Sequence, residues 1–223
     1  MPRIARIIVP NVPHHIVQRG NRNQQVFFSD EDKKHYLKIL GFNCSKEKVK
    51  IWCYCLMNNH VHLIVVPESA EGLIKAISET HRRYTWIINA RNNWKGYLWQ
   101  GRFRSYPMDE AYLYACTKYV ERNPVRAGLA RRAEQYRWSS ARAHVFGYND
   151  PLLSPMPLTS QIKDWRSYLQ GEDKEEDLER LRKNQANGYP LGSDDFIEAI
   201  EKTTGIIINR NSRKMGTREC VPH

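Results

Sequence analysis

His60 and His62, separated only by Val61, are the residues of this sequence most directly suited to chemistry. On an extended strand alternate side chains share a face, so the two imidazoles project together and supply two nitrogen donors, half of a divalent-metal site. A pair at this spacing also occurs simply packed inside a covered sheet. The apolar neighbours sharpen the question, because a histidine in a greasy strand must find a partner when it is buried, and a metal ion is one such partner. A second candidate group is Tyr119 and Asn123, four apart and therefore neighbours on one helix face. A phenolic oxygen beside a metal-ligating amide would set a nucleophile next to a Lewis acid. Tyr112 and Tyr114, also at helical spacing, read as core packing.

These residues need a sheet and a helix to bring them together. The apolar runs flanking Asn58-Asn59 predict two strands, 49–57 and 60–66, joined by a two-residue hairpin turn in which Asn tolerates positive φ. Along that hairpin Trp52, Tyr54, Leu56, Val61, Leu63 and Val65 should face one way. Ile51, Cys53, Cys55, Met57, His60, His62 and Ile64 should face the other. Both sets are largely apolar, which predicts a sheet covered on both sides. Upstream, 13–20 and 24–28 read as strand pieces around a polar loop, followed by a helix capped at Ser29 or Asp30. Downstream, 71–92 has helical periodicity, 102–106 alternates as a strand, and Asp109 can cap a helix from 110 to about 122 that Pro124 should end. The order β-α-β-β-α-β-α predicts an α+β fold: a ferredoxin-like, or RRM-like, antiparallel sheet of four strands covered by helices. Composition shifts after residue 150. Residues 151–223 read as a C-terminal helical appendage, with a Pro-rich linker at 152–157, a charged helix at 171–183, a short amphipathic helix at 194–203 and a basic tail from 210. Residues 1–150 read as the domain that carries the candidate site.

The chain carries a formal charge of +11, and its distribution matters more than its size. Residues 1–150 hold 24 Lys and Arg against 12 Asp and Glu, whereas 151–223 hold 11 against 12, so the whole excess lies with the histidine pair and the tyrosine. A surplus confined to one segment suits a nucleic-acid surface. Arg19, Arg22, Arg82, Arg83, Arg102, Arg104, Lys118 and Arg126 are the candidate phosphate contacts, and Tyr97 and Trp99 could stack on unpaired bases. Five cysteines, an odd number with no secretory segment before them, read as reduced thiols of a cytoplasmic protein. No run is apolar enough to predict a membrane span.

Three segments in this order bear a resemblance to a known family: His60-Val61-His62, Trp99-Gln100-Gly101-Arg102-Phe103-Arg104, and the run from Tyr119 through Glu121-Arg122-Asn123-Pro124 to Leu129. Together they resemble the REP-associated tyrosine transposases, bacterial relatives of the single-tyrosine HUH transposases, over about the first 148 residues. The resemblance implies that Tyr119 attacks a phosphodiester in single-stranded DNA, leaving a 5′-phosphotyrosine and a free 3′-hydroxyl. It implies that His60 and His62 hold Mg²⁺ or Mn²⁺, with Asn123 completing the ligand set. It further implies REP hairpins, short palindromic repeats of bacterial genomes, as the DNA, and a cytoplasmic, nucleoid-associated setting. Related transposases work as dimers, whereas the REP-associated branch is regarded as monomeric. One departure is visible: better-known members carry Gln four residues after the tyrosine, and Asn123 is one methylene shorter, which leaves a water-bridged contact as the alternative to direct ligation.

Two other readings compete. Cys53, Cys55, His60 and His62 could form a structural zinc tetrad across the hairpin. An RRM-like module could instead bind nucleic acid without catalysis, although such a platform needs an open sheet face.

Overall fold

The computed structural model describes residues 6–171, 179 and 188–208. Strands β1 (His14–Arg19), β2 (Val49–Leu56), β3 (His60–Pro67) and β4 (Arg104–Pro107) form one antiparallel sheet in the order β2-β3-β1-β4. Helices α1 (Asp30–Lys46) and α2 (Ala70–Asn92) connect β1 to β2 and β3 to β4, which gives the α+β, ferredoxin-like arrangement predicted from the sequence. Helix α3 (Glu110–Arg126) follows β4. Among the described residues four short helices come after it: α4 (Ala141–Phe146), α5 (Leu158–Gln161), α6 (Trp165–Gln170) and α7 (Asp194–Thr204).

Both faces of the sheet are covered. On one, Ile16, Tyr54, Leu56, Val61, Leu63 and Val65 pack with Tyr36 and Leu40 of α1 and with Leu73, Ile77, Tyr84 and Ile88 of α2. On the other, Cys53, Cys55, Ile64 and Tyr106 pack with Leu113, Cys116 and Val120 of α3 and with Trp165, Tyr168 and Leu169 of α6. Leu152 and Leu153, just after residue 150, pack against the first core. Helix α7 packs Ile197 and Ile200 on Ile7 and Val9. The predicted charged helix at 171–183 and the basic tail lie almost wholly outside the described residues.

Capping explains the helix starts. Ser29 Oγ accepts from Asp32 N and Asp32 Oδ2 accepts from Ser29 N, a reciprocal capping box. The same carboxylate takes both guanidinium nitrogens of Arg91, at 2.6 and 3.0 Å, and so ties the start of α1 to the end of α2. Asp109 caps α3 by accepting from Tyr112 N at 2.9 Å.

Several local expectations are corrected. Residues 24–28 are not a strand: Val26 N and Phe27 N donate to Asn58 O, so the segment is extended chain pinned to the hairpin tip. Neither Asn58 nor Asn59 has positive φ, because the tip is held from outside: Gly20 N donates to Asn59 O and Lys33 Nζ to Asn58 Oδ1. The left-handed residues are instead Arg22 and Asn23 in the loop that grips it. The β2–β3 register shifts between Ile51 and Cys53, so Ile51 joins the α1/α2 core and Trp52 packs toward α3, the reverse of strict alternation. Strand β4 begins at Arg104, which leaves Arg102 in the preceding loop. Helix α3 continues through Pro124 to Arg126. Pro124 is buried, and Ala127 N and Leu129 N bond to Asn123 O and Pro124 O, so packing and the remaining carbonyl bonds hold the helix past the proline.

Candidate active site

The register of the central strands assembles the histidines. Val17 of β1 faces His62 of β3 on one side and Arg104 of β4 on the other, His15 faces Ile64 and Tyr106, and Arg19 faces His60. Residues directly opposite in an antiparallel pair share a face, so His15, Arg19, His60, His62 and Arg104 all project toward α3. There Tyr119 meets them. Its ring centroid lies 5.7 Å from that of His62 and 6.3 Å from that of His15, both in edge-on contact.

The imidazoles are held by specific partners. His60 Nδ1 bonds to Asn59 Oδ1 at 2.6 Å, and since that oxygen can only accept, the proton sits on Nδ1 and Nε2 keeps its lone pair. His62 Nδ1 bonds to His15 Nε2 at 2.9 Å, with the ring centroids 5.1 Å apart and 18° between the ring planes. The rings of His60 and His62 stand 4.9 Å apart, nearly perpendicular. Burial, reinforced by Arg19, pushes His60 down to about 4; burial, then His15, His60, Arg126 and Arg19, holds His62 well below the ordinary imidazole range. Both rings are neutral at pH 7 and can donate lone pairs, which is the state a divalent ion requires. With Nδ1 of each ring engaged, Nε2 is the nitrogen available to an ion, and this donor set fits one whose remaining positions are filled by oxygen.

Arg126, carried by the extra turn of α3, places its guanidinium carbon 4.2 Å from the Tyr119 ring centroid and donates to Tyr119 O. The nucleophile candidate is thus clamped between a cation and the histidines. Beneath it, the fully buried Glu121 accepts from Ser140 Oγ at 2.6 Å, His144 Nδ1 at 2.6 Å and Trp165 Nε1 at 2.7 Å, fixing α3 to the helices that follow.

The sequence-derived candidates separate into those gathered here and those elsewhere. His60, His62, Tyr119, Arg19, Arg104 and Arg126 converge. Asn123 is half-buried one turn beyond Tyr119, and among the described residues its carboxamide makes no hydrogen bond to a histidine. Arg22 is exposed in the loop after β1, and Arg102 is exposed before β4. Lys118 lies toward α6, 5.9 Å from the Tyr168 ring. Arg82 and Arg83 are on α2, across the sheet, and both bond to Glu79. Trp99 is core, its ring 4.7 Å from that of His81, whereas Tyr97 is 87% exposed. Cys53 and Cys55 are buried in the α3-side core, where Cys53 Sγ lies 3.2 Å from Ser140 Oγ. Among the described residues no group of three or more His, Cys, Asp or Glu side chains is placed to hold a metal ion together, so the zinc tetrad weighed from the sequence is not assembled. Sequence reasoning missed His15. Its only signals were its place two residues before Val17 on a strand, and a fold in which β1 runs beside β3.

The sequence matches the family described as IS200-like transposases over residues 8–123, just over half of the chain. Among solved structures, a REP-associated tyrosine transposase bound to a REP hairpin aligns with a TM-score of 0.53 at 16% identity, covering 70% of this chain and 93% of that one. A second, described as a transposase from Deinococcus radiodurans R1, gives 0.38 at 20% identity, over 54% of this chain and 96% of that one. No curated protein matches.

Proposed function

The chain belongs to the IS200-like transposase family, and from that membership we propose that it is a metal-dependent single-stranded DNA endonuclease and strand transferase that acts on REP-type hairpins through a covalent 5′-phosphotyrosine on Tyr119. The observation that carries the reading is the Tyr119 ring set edge-on against His62 beneath the Arg126 guanidinium. Tyr119 Oη forms a bond to the scissile phosphorus while the bond from phosphorus to the 3′-oxygen breaks. The phenolic proton is lost and the 3′-oxygen ends as a hydroxyl. Rejoining reverses these changes at a new or original 3′-end, and because one phosphodiester is exchanged for another the cycle needs no nucleotide cofactor.

His60 and His62 would hold Mg²⁺ or Mn²⁺, with Asn123 as a direct or water-bridged third protein ligand. The ion supplies charge neutralisation at the phosphate. Arg126 steadies the phenol and stabilises the negative charge that grows on its oxygen. Arg19 and Arg104 border the histidines on the same face, where they can draw in backbone phosphates, and the exposed Arg22 and Arg102 extend that basic rim. The basic surplus of residues 1–150 supports DNA as the partner, and the hairpin bound by the fold relative supports the choice of DNA structure.

The test is a labelled single-stranded hairpin oligonucleotide incubated with protein, with and without Mn²⁺. A denaturant-resistant protein–DNA adduct that needs both metal and Tyr119 is expected. Tyr119→Phe, which removes one oxygen, should bind the oligonucleotide as before and form no adduct. Cleavage that persists in Tyr119→Phe overturns the assignment of the nucleophile.

A further inference from the structure

A histidine that binds a metal through Nε2 must carry its proton on Nδ1, and that N–H needs an acceptor. For His62 the acceptor in place is His15 Nε2, at 2.9 Å from His62 Nδ1. His15 is fully buried in the central strand, and its other ring nitrogen, Nδ1, has no hydrogen-bond partner among the described residues. A core-filling role does not need this arrangement: an imidazole buried for packing alone would be better replaced by an apolar ring, since an unpartnered buried polar nitrogen is costly. The contrast with its neighbour is direct. His14, also fully buried, uses both nitrogens, accepting from Val9 N at 3.0 Å and bonding Val12 O at 2.7 Å. His15 leaves one nitrogen unsatisfied while the other faces the candidate ligand.

We propose that His15 is a positioning residue of the metal site: its Nε2 accepts the His62 Nδ1 proton, which fixes the His62 ring and turns the His62 Nε2 lone pair toward the ion. This rests on the proposed role of His62 as a ligand. The ring centroids lie 5.1 Å apart with 18° between the planes, so the two rings meet edge to edge and nearly coplanar, the geometry in which an N–H points straight at the acceptor lone pair. His60 is served differently, by the side chain of its own neighbour Asn59. One ligand is therefore oriented locally within the hairpin, and the other from across the sheet. Because His15 Nε2 is committed to this bond, His15 is not itself a ligand.

The experiment uses the full-length protein. Nitrogen-15 NMR of the histidine rings in the presence of saturating Mg²⁺ should show His62 protonated on Nδ1, and His15 protonated on Nδ1 rather than on Nε2. In parallel, Mn²⁺ affinity is read from the EPR signal of free Mn²⁺. His15→Phe should weaken it by about 10- to 100-fold, the range typical for loss of a group that orients a metal ligand. His15→Gln, whose carboxamide oxygen can accept the same proton, should recover most of it. Thermal unfolding shows whether each variant is folded, and the wild-type NMR measurement decides the matter without any variant. A His62 proton found on Nε2 with Mg²⁺ bound, or a folded His15→Phe that binds Mn²⁺ as tightly as wild type, overturns the proposal while leaving the proposed function intact. Wild-type protein that binds no Mn²⁺ overturns both.

Discussion

Replacing Arg126 by Met should slow formation of the covalent adduct while leaving the fold in place. The guanidinium carbon stands 4.2 Å from the ring centroid of Tyr119. Adding the half-length of a phenol puts it about 5 Å from the phenolic oxygen, where two unit charges interact by about 3 kcal/mol at an effective dielectric of 20. If about half a charge has developed on that oxygen at the transition state, the guanidinium contributes about 1.5 kcal/mol, roughly a tenfold effect on rate. Met keeps the aliphatic contact with the ring and removes the charge. The assay is single-turnover adduct formation with protein in excess over a labelled hairpin, so that weaker DNA binding is not mistaken for slower chemistry. Arg126→Lys should fall between the two, because the ammonium retains the charge but not the planar stack. An Arg126→Met protein that forms adduct within twofold of the wild-type rate, at saturating DNA and with the same melting temperature, would refute the idea that this cation serves the nucleophile.

Three further expectations concern the scaffold. Burial pushes His14 down to about 4, partly offset by its bond to Val12 O, and burial pushes His81 to about 3. Since the unfolded chain protonates near 6.5, their stabilising effect is complete above that pH and is lost as pH falls; together they should cost about 4 kcal/mol between pH 7 and 5, and urea midpoints that stay level across that window would contradict this. Asp32→Asn removes the carboxylate that caps α1 and pairs with the half-exposed Arg91, and should destabilise by about 2 kcal/mol in urea unfolding. Glu121→Leu strands the buried donors of Ser140, His144 and Trp165, an expected loss of about 3–5 kcal/mol, or roughly 10 °C in melting temperature by calorimetry.

His60, His62 and Tyr119 were legible because each depends on a local period: two residues along a strand, four along a helix, with charge concentrated in the same segment. The sheet followed from the order of elements. What could not be read depends on contacts between distant segments. The partnership of His15 with His62 arises from pairing across 47 residues of sequence. The bulge at Trp52 reverses two side chains, Ile51 and Trp52, from the faces that alternation gives them, and no residue there announces it. Pro124 looks like a stop, yet burial of its ring and the bonds to Asn123 O and Pro124 O carry the helix on to Arg126. The hairpin tip was expected to turn by its own backbone preference, whereas the preceding loop bends it from outside. The placement of Arg82 and Arg83 across the sheet likewise needed the helix packing to be known.

The central position of β1 also bears on how the protein comes into being. The strand made first is sandwiched between β3 and β4, and Tyr119 arrives on the helix made after both. A ribosome must therefore release the chain well past Arg126 before histidines and tyrosine can meet, and every earlier intermediate holds only part of the reactive set. The site to which we assign strand cleavage is thereby kept incomplete through most of the chain's own synthesis. Nascent chains stalled at increasing lengths should pass abruptly from no adduct formation to full adduct formation once α3 has docked.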